Sequence, residues 1–290
     1  MDFGTFLVQC LNSVQYGLLL FLVASGLTLI FGIMGVINLA HGSFYMIGAY
    51  MAFALAPLFG NQFIIMLLAG VVLTALFGYV LEWAFFSYLY QRDHLQQVLM
   101  TYGLILVFEE LRSLLVGNDV HGVPVPSWLD GSFALGSLMS YPWYRLFASA
   151  ACIVLAIGLY YVVNRTRLGM MIRAGASNRD MVRGLGIDIR QLYRIVFAAG
   201  VALAALAGMI AAPMSSVYPN MGASVLIICF VVVVIGGIGS ITGALVASLL
   251  VGFVDTFGKV FFADLAGMGI YVLMAIILIW RPEGLMGRKT

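Results

Sequence analysis

The residues of this chain able to carry chemistry are few and scattered. His41, His94 and His121 show neither an HExxH pattern nor Cys/His spacing, so no zinc or other metal site is expected. Cys10, Cys152 and Cys229 stand far apart in apolar stretches without a CxxC pair, the setting of small buried hydrophobes. Gly236-Gly237-Ile238-Gly239-Ser240 lacks the GxGxxG order. Gly258-Lys259 is followed by Val260 and lacks the first glycine of a P-loop. The chain is therefore expected to hold no nucleotide or other cofactor of its own, so any ATP chemistry belongs to another subunit. No nucleophile, acid and base are brought together. The expectation is no catalytic residue and no enzyme.

What remains is polar side chains in apolar surroundings. Asn38, His41 and Ser43 lie in or beside the glycine-rich stretch 32–42, and Ser240 lies in the stretch 236–243. At membrane depth such groups are costly unless paired or facing water. Two roles fit them: hydrogen bonding to backbone freed by a helix break, or lining a route for a polar solute. The four are the candidate translocation-path residues. The glycines around them suit close helix packing before they suit ligand binding.

The second cluster is 164–194, with seven arginines among 31 residues between two apolar stretches. Basic residues at helix ends are retained on the cytoplasmic side, which accounts for Arg165, Arg167, Arg190 and Arg194. The middle differs. At 100° per residue Ala174, Asn178, Met181, Val182 and Leu185 share one face of a short helix, and Ala176, Arg179, Asp180 and Arg183 the other. Gly184 and Gly186 end it, because glycine supplies the φ a helix terminus needs. A two-faced helix in a loop suits docking into a partner's groove.

These residues must be positioned by a membrane-embedded scaffold. Of 290 residues, 63% are hydrophobic and 9% charged, far below the charge of a soluble domain. No Asp, Glu, Lys or Arg occurs between Asp2 and Glu82, nor between Arg194 and Asp255. At about 20 residues per crossing, each stretch spans the bilayer more than once. The apolar runs are continuous rather than alternating, so the spans are helices and not barrel strands. Lipid is the expected surrounding partner and no nucleic acid is expected, while a formal net charge of +2 is small and by itself says nothing about acidic partners.

The expected fold is all-α, one transmembrane domain over 1–290 with the loop 164–194 inside it. Helices are expected near 6–31, 43–57, 63–90, 95–117, 144–163, 190–211, 223–236, 241–257 and 266–280, making eight to nine membrane segments. Residues 32–42 and 236–243 are too apolar for ordinary loops and too rich in glycine for continuous helix, and are expected to be breaks at membrane depth. Nine crossings with the C-terminus inside place eleven basic residues inside and three, Arg112, Arg145 and Lys259, outside. Residues 118–143, with Pro124, Pro126, Trp128, Asp130 and Pro142, then form an outer loop. Met1 to Leu7 carries Asp2 and no basic residue, so no cleaved signal peptide is expected. Glu109 and Arg112 are spaced to pair, and Glu82 and Asp255 are expected to pair or to reach the interface.

The stretch Gly26-Leu-Thr-Leu-Ile-Phe-Gly-Ile-Met-Gly-Val-Ile-Asn-Leu-Ala-His-Gly42 resembles the amino-terminal signature of LivH-type permeases of branched-chain amino-acid ABC importers. Arg167-Leu-Gly169, Arg173-Ala174-Gly175-Ala176 and Leu185-Gly186-Ile187 resemble that family's coupling loop, and Gly236 to Gly243 and Arg281-Pro282-Glu283-Gly284-Leu285 are similar too. The loop departs from common versions at Ser177, Asn178 and Arg183-Gly184. The resemblance implies an inner-membrane permease that imports apolar amino acids with a second permease subunit, two cytoplasmic ATP-binding subunits and a periplasmic substrate-binding protein. Taken with the two-faced helix, the resemblance makes Arg173, Ala174, Ala176, Asn178, Met181, Val182, Leu185 and Gly186 the expected ATPase-coupling residues. The quoted motifs do not separate this from a urea or short-amide importer. A stand-alone secondary transporter or channel is the alternative outside the ABC class.

Overall fold

A stretch with no charge for some eighty residues is expected to stay helical except where glycine, proline or a side-chain hydrogen bond intervenes, and the first two helices end at Gly35 and Gly60. The computed structural model describes residues 3–60, 62–134 and 140–287. Its helices are α1 (Phe3–Met34), α2 (His41–Phe59), α3 (Phe63–Ala84), α4 (His94–Val116), α5 (Trp143–Arg165), α6 (Arg167–Ser177), α7 (Arg179–Gly184), α8 (Ile189–Ala211), α9 (Met221–Gly236), α10 (Ile241–Phe261) and α11 (Ala266–Trp280). A two-stranded antiparallel hairpin, β1 (Ser132–Ala134) and β2 (Ser140–Pro142), is the sheet among the described residues. Six helices are long and apolar enough to cross a membrane, and α9 and α11 are shorter apolar helices. The remaining long helix, α4, carries Glu109, Glu110 and Arg112.

Each expected helical stretch is helical, with one correction. The expected helix 63–90 stops at Ala84, and residues 86–91 form a 3-10 turn. Side chains hold this turn: the Gln97 amide donates to the Leu89 and Arg92 carbonyls, and the Tyr90 hydroxyl donates to Glu82 Oε1.

The helices α1 and α8 form the centre of the bundle, and α1 is buried almost continuously from Gly17 to Ile30. With lipid outside, no hydrophobic effect drives apolar helices together, so close packing through small residues has to. Gly26 faces Gly200, where a Cβ on Gly26 would sit 2.5 Å from the Gly200 carbonyl oxygen. Gly48 of α2 meets the Ala205 carbonyl of α8 at 2.0 Å on the same basis. The outer helices expose apolar stripes, as lipid contact requires: on α3 these are Leu68, Val72, Leu76, Val80 and Trp83.

Glu82, Glu109 and Asp255 are each paired with a cation. Arg112 Nε lies 3.0 Å from Glu109 Oε2, Lys259 Nζ 2.5 Å from Asp255 Oδ2 and Arg194 Nε 3.3 Å from the buried Glu82 Oε2. All three cysteines are free, with Cys152 and Cys229 buried. Residues 118–134 and 140–142 sit at one end of the bundle, tied down by an antiparallel bridge from His121 to Val217 and by His121 stacking on Phe53. The helices α6 and α7 sit at the other end. Arg288 and Lys289 lie outside the described residues, as does Asp2. Of the rest, Arg112, Arg145 and Lys259 belong to the end that holds His121 and the β1–β2 pair, and the nine remaining arginines to the α6–α7 end.

Candidate translocation and coupling site

The connection from α1 to α2 is a discontinuity at membrane depth. Gly35, with φ +64°, ends α1, and residues 35–40 run without helix until α2 starts at His41. His41 Nε2 lies 3.0 Å from the Val23 carbonyl oxygen, so Nε2 carries the proton and donates. Val23 precedes Met34 by eleven residues, roughly 16 Å along a helix axis. The segment 35–40 therefore doubles back along α1, and α2 begins deep inside the bundle. Asn38 Oδ1 accepts from the Ala40 backbone N–H at 3.0 Å, holding the turn before α2. Asn38 and His41 are both fully buried, and Asn38 Nδ2 and His41 Nδ1 have no hydrogen-bond partner among the described residues. Ser43 is buried in the first turn of α2. Asn38 and His41 thus each have one polar side-chain atom fixed to backbone and one left over among the described residues.

The second glycine-rich stretch corrects an expectation. Residues 237–240 are a tight turn between α9 and α10 at the α6–α7 end, not a break at membrane depth. Ile238 there is 57% exposed. Gly237 and Gly239 take φ of +96° and +80°, and Ser240 caps α10 by accepting from the Gly243 N–H at 3.0 Å. Ser240 is accordingly set apart from Asn38 and His41: Gly239 packs on Gly32, nine residues or roughly 13 Å along α1 from Val23.

Sequence patterns missed what closes this turn. The backbone N–H groups of Leu285 and Met286 donate to the Ile235 and Gly236 carbonyls, at 2.8 and 3.1 Å. These are final-turn carbonyls of α9, which no intrahelical donor can reach. Gly284, with φ +81°, approaches within 2.6 Å of the Gly237 Cα if given a Cβ. The Arg281 to Leu285 motif is thus a clasp over the end of α9.

The segment expected to be one short helix within the loop 164–194 is two, α6 and α7. Asn178, expected inside a continuous helix, is extended at φ −153° and ψ 103°, and its Oδ1 caps α7 by accepting from Met181 N–H at 3.0 Å. Asparagine competes for backbone in this way, which favours a cap over a helix interior. Val182 is a second correction: at 3% exposed it points into the permease. Met181 and Leu185 are 66% and 72% exposed, and Ala174, Ala176 and Asn178 are exposed as well. Gly186 has φ +82° with nothing near it, so backbone conformation and not crowding requires glycine there. Arg173 donates from Nη1 to the Val163 carbonyl at the end of α5. Thr166 caps α6 by accepting from the Gly169 N–H, and Gly169 lies against the Val163 carbonyl. Arg167-Leu168-Gly169 therefore builds the α5–α6 corner.

The loop touches the re-entrant region directly. Gly175 of α6 lies against Ile33, and a Cβ on Gly35 would meet the Arg179 guanidinium at 2.9 Å. The helices α6 and α7 are thus packed against the end of α1.

Residues 9–279 match the family described as the permease component of branched-chain amino acid transport systems. The chain belongs to this family. The permease is 30% identical to the high-affinity branched-chain amino acid transport system permease protein BraD of Pseudomonas aeruginosa, over 98% of this chain and 96% of that protein. It is 27% identical to LivH of Escherichia coli K12, a permease protein of the same description, over 99% and 97% of the two chains. A probable branched-chain amino acid transport permease of Methanocaldococcus jannaschii is 28% identical over 95% and 91%. No solved structure matches the permease. Its family is a transport component and not an enzyme class.

Proposed function

We propose that the permease forms one half of the membrane channel of a bacterial inner-membrane ABC importer for branched-chain amino acids. The N-terminus lies outside and the C-terminus in the cytoplasm. A second permease subunit completes the channel, two cytoplasmic ATP-binding subunits supply the ATP chemistry, and a periplasmic binding protein delivers substrate. The observation that carries this reading is the exposed pair Met181 and Leu185 at the end of the bundle holding nine arginines. Apolar side chains in water beside a basic membrane face are placed for a cytoplasmic protein partner.

In this reading Met181 and Leu185 enter the ATPase groove, with Arg173, Ala174, Ala176, Asn178 and Gly186 shaping the surface around them. Val182 anchors α7 from the inner side. The translocation route passes the re-entrant segment, where Asn38, His41 and Ser43 bring polar atoms to membrane depth, and Ser240 lies at its cytoplasmic end. A zwitterion needs polar atoms for its charged groups and an apolar wall for its side chain. Purification with native partners tests the assignment. ATP-binding subunits should co-purify, and ATP hydrolysis should rise with leucine, isoleucine or valine presented on the binding protein. Stimulation by urea or a short amide instead would reassign the substrate, and transport by the chain alone would make it a secondary transporter or channel.

A further inference from the structure

We infer that the permease holds an anionic phospholipid headgroup in a basic cavity between the end of α3, the 86–91 turn, α7 and the start of α8. The cavity is about 690 Å³ and is lined by Arg92, Arg179, Arg183, Arg190 and Arg194. Its acidic lining residues are Glu82 and Asp180. Glu82 is already engaged by Arg194 and Tyr90. Arg92, Arg183 and Arg190 make no side-chain hydrogen bond or ion pair among the described residues. Five guanidiniums facing two carboxylates leave an excess of three positive charges in one recess, and unpaired like charges so close together repel unless an anion sits among them. Tyr193, also in the lining, has a buried hydroxyl with no hydrogen-bond partner among the described residues.

Placement decides that the anion belongs to a lipid. The exposed stripe of α3, Leu68, Val72, Leu76 and Val80, runs to Trp83, and Trp83 lines the cavity. Acyl chains on that stripe deliver a headgroup to the arginines. Tryptophan marks the depth at which headgroups sit, and basic recesses at helix ends take anionic headgroups while arginine forks match phosphate oxygens. This inference does not rest on the identity of the transported solute.

The test uses the full-length permease in detergent, titrated with phosphatidylglycerol, phosphatidylcholine or glycerol 1-phosphate, with bound lipid read by native mass spectrometry and the midpoint of unfolding followed in parallel. Phosphatidylglycerol should bind saturably and raise the midpoint, while phosphatidylcholine and the soluble headgroup should not. Arg183→Gln with Arg190→Gln should weaken binding about thirtyfold, at ~1 kcal/mol per arginine. Arg165→Gln, which removes an arginine outside the lining, should leave it unchanged. If the double variant is less stable without lipid, Arg92→Gln alone should still weaken binding about fivefold. Equal affinity for the two phospholipids, tight binding of glycerol 1-phosphate alone, or unchanged binding in the arginine variants overturns the inference. Loss of ATPase attachment in the double variant with lipid binding intact overturns it too, and makes the cavity a protein contact.

Discussion

Gly32 and Gly239 meet backbone to backbone, so that a Cβ on Gly32 would stand 3.0 Å from the Gly239 Cα. This contact joins the end of α1, which α6 touches through Ile33 and Gly175, to the α9–α10 turn under the C-terminal clasp. A push on α6–α7 therefore has a continuous packed route to both glycine-rich connections. Packed interiors transmit displacement because they compress little.

Enlarging Gly32 should cost the permease stability without touching its chemistry. Gly32→Val should lower stability by about 1–3 kcal/mol, the range for overpacking a close contact. Gly103→Ala, where a Cβ meets nothing within 4 Å, should be neutral or stabilising by up to ~1 kcal/mol because alanine favours helix. Thermal unfolding of the isolated chain in detergent distinguishes them, and equal losses in both variants would contradict the contact described.

Met181 and Leu185 should separate from Val182 in their effects. Leu185→Ala should weaken ATPase attachment by about 2 kcal/mol if that side chain is an anchor, with the unfolding midpoint of the isolated permease unchanged. Val182→Ala should lower that midpoint by about 1–3 kcal/mol equivalent, since it opens space inside the subunit. Pull-down beside thermal unfolding reads both, and wild-type attachment and uptake in Leu185→Ala would leave the loop a charged anchor only.

His41→Ala should reduce uptake while the subunits still assemble, if the imidazole serves the route. The remaining Val23 carbonyl is in a helix and keeps its own helical partner, so the variant strands no strong acceptor. Joint loss of assembly and uptake would assign His41 to holding α2 in place.

The orientation predicts labelling from outside at one terminus only. In a Cys10→Ser background, an impermeant thiol reagent applied to intact cells should modify Thr5→Cys and leave Lys289→Cys unmodified. The reverse pattern would invert the permease in the membrane.

Helix positions were legible because lipid as solvent imposes long apolar runs, and 190–211 and 266–280 match α8 and α11 to within a residue. The end at Ala84 was not, because apolar Phe85, Phe86 and Leu89 continue the run and the turn is fixed by Gln97 from the next helix. Asn178 misled for a related reason: its spacing fits one helical face, while its side chain prefers to cap. The inward turn of Val182 had no local signal, since Met181, Val182 and Leu185 are equally apolar and only the α6–α7 break decides which faces water. The separation of Ser240 from His41 was hidden as well. Two glycine-rich stretches look alike in sequence, yet one doubles back along α1 and the other is a surface turn.

The clasp at Leu285 and Met286 also sets an order of events during biosynthesis. The two α9 carbonyls it covers, on Ile235 and Gly236, leave the ribosome about fifty residues before their donors do. Throughout the insertion of α10 and α11 the end of α9 is an open edge with only water or headgroups to satisfy it. The bundle is thus fastened from its last residues backward, and the turn that meets Gly32 takes its final geometry only after every helix is already in the membrane.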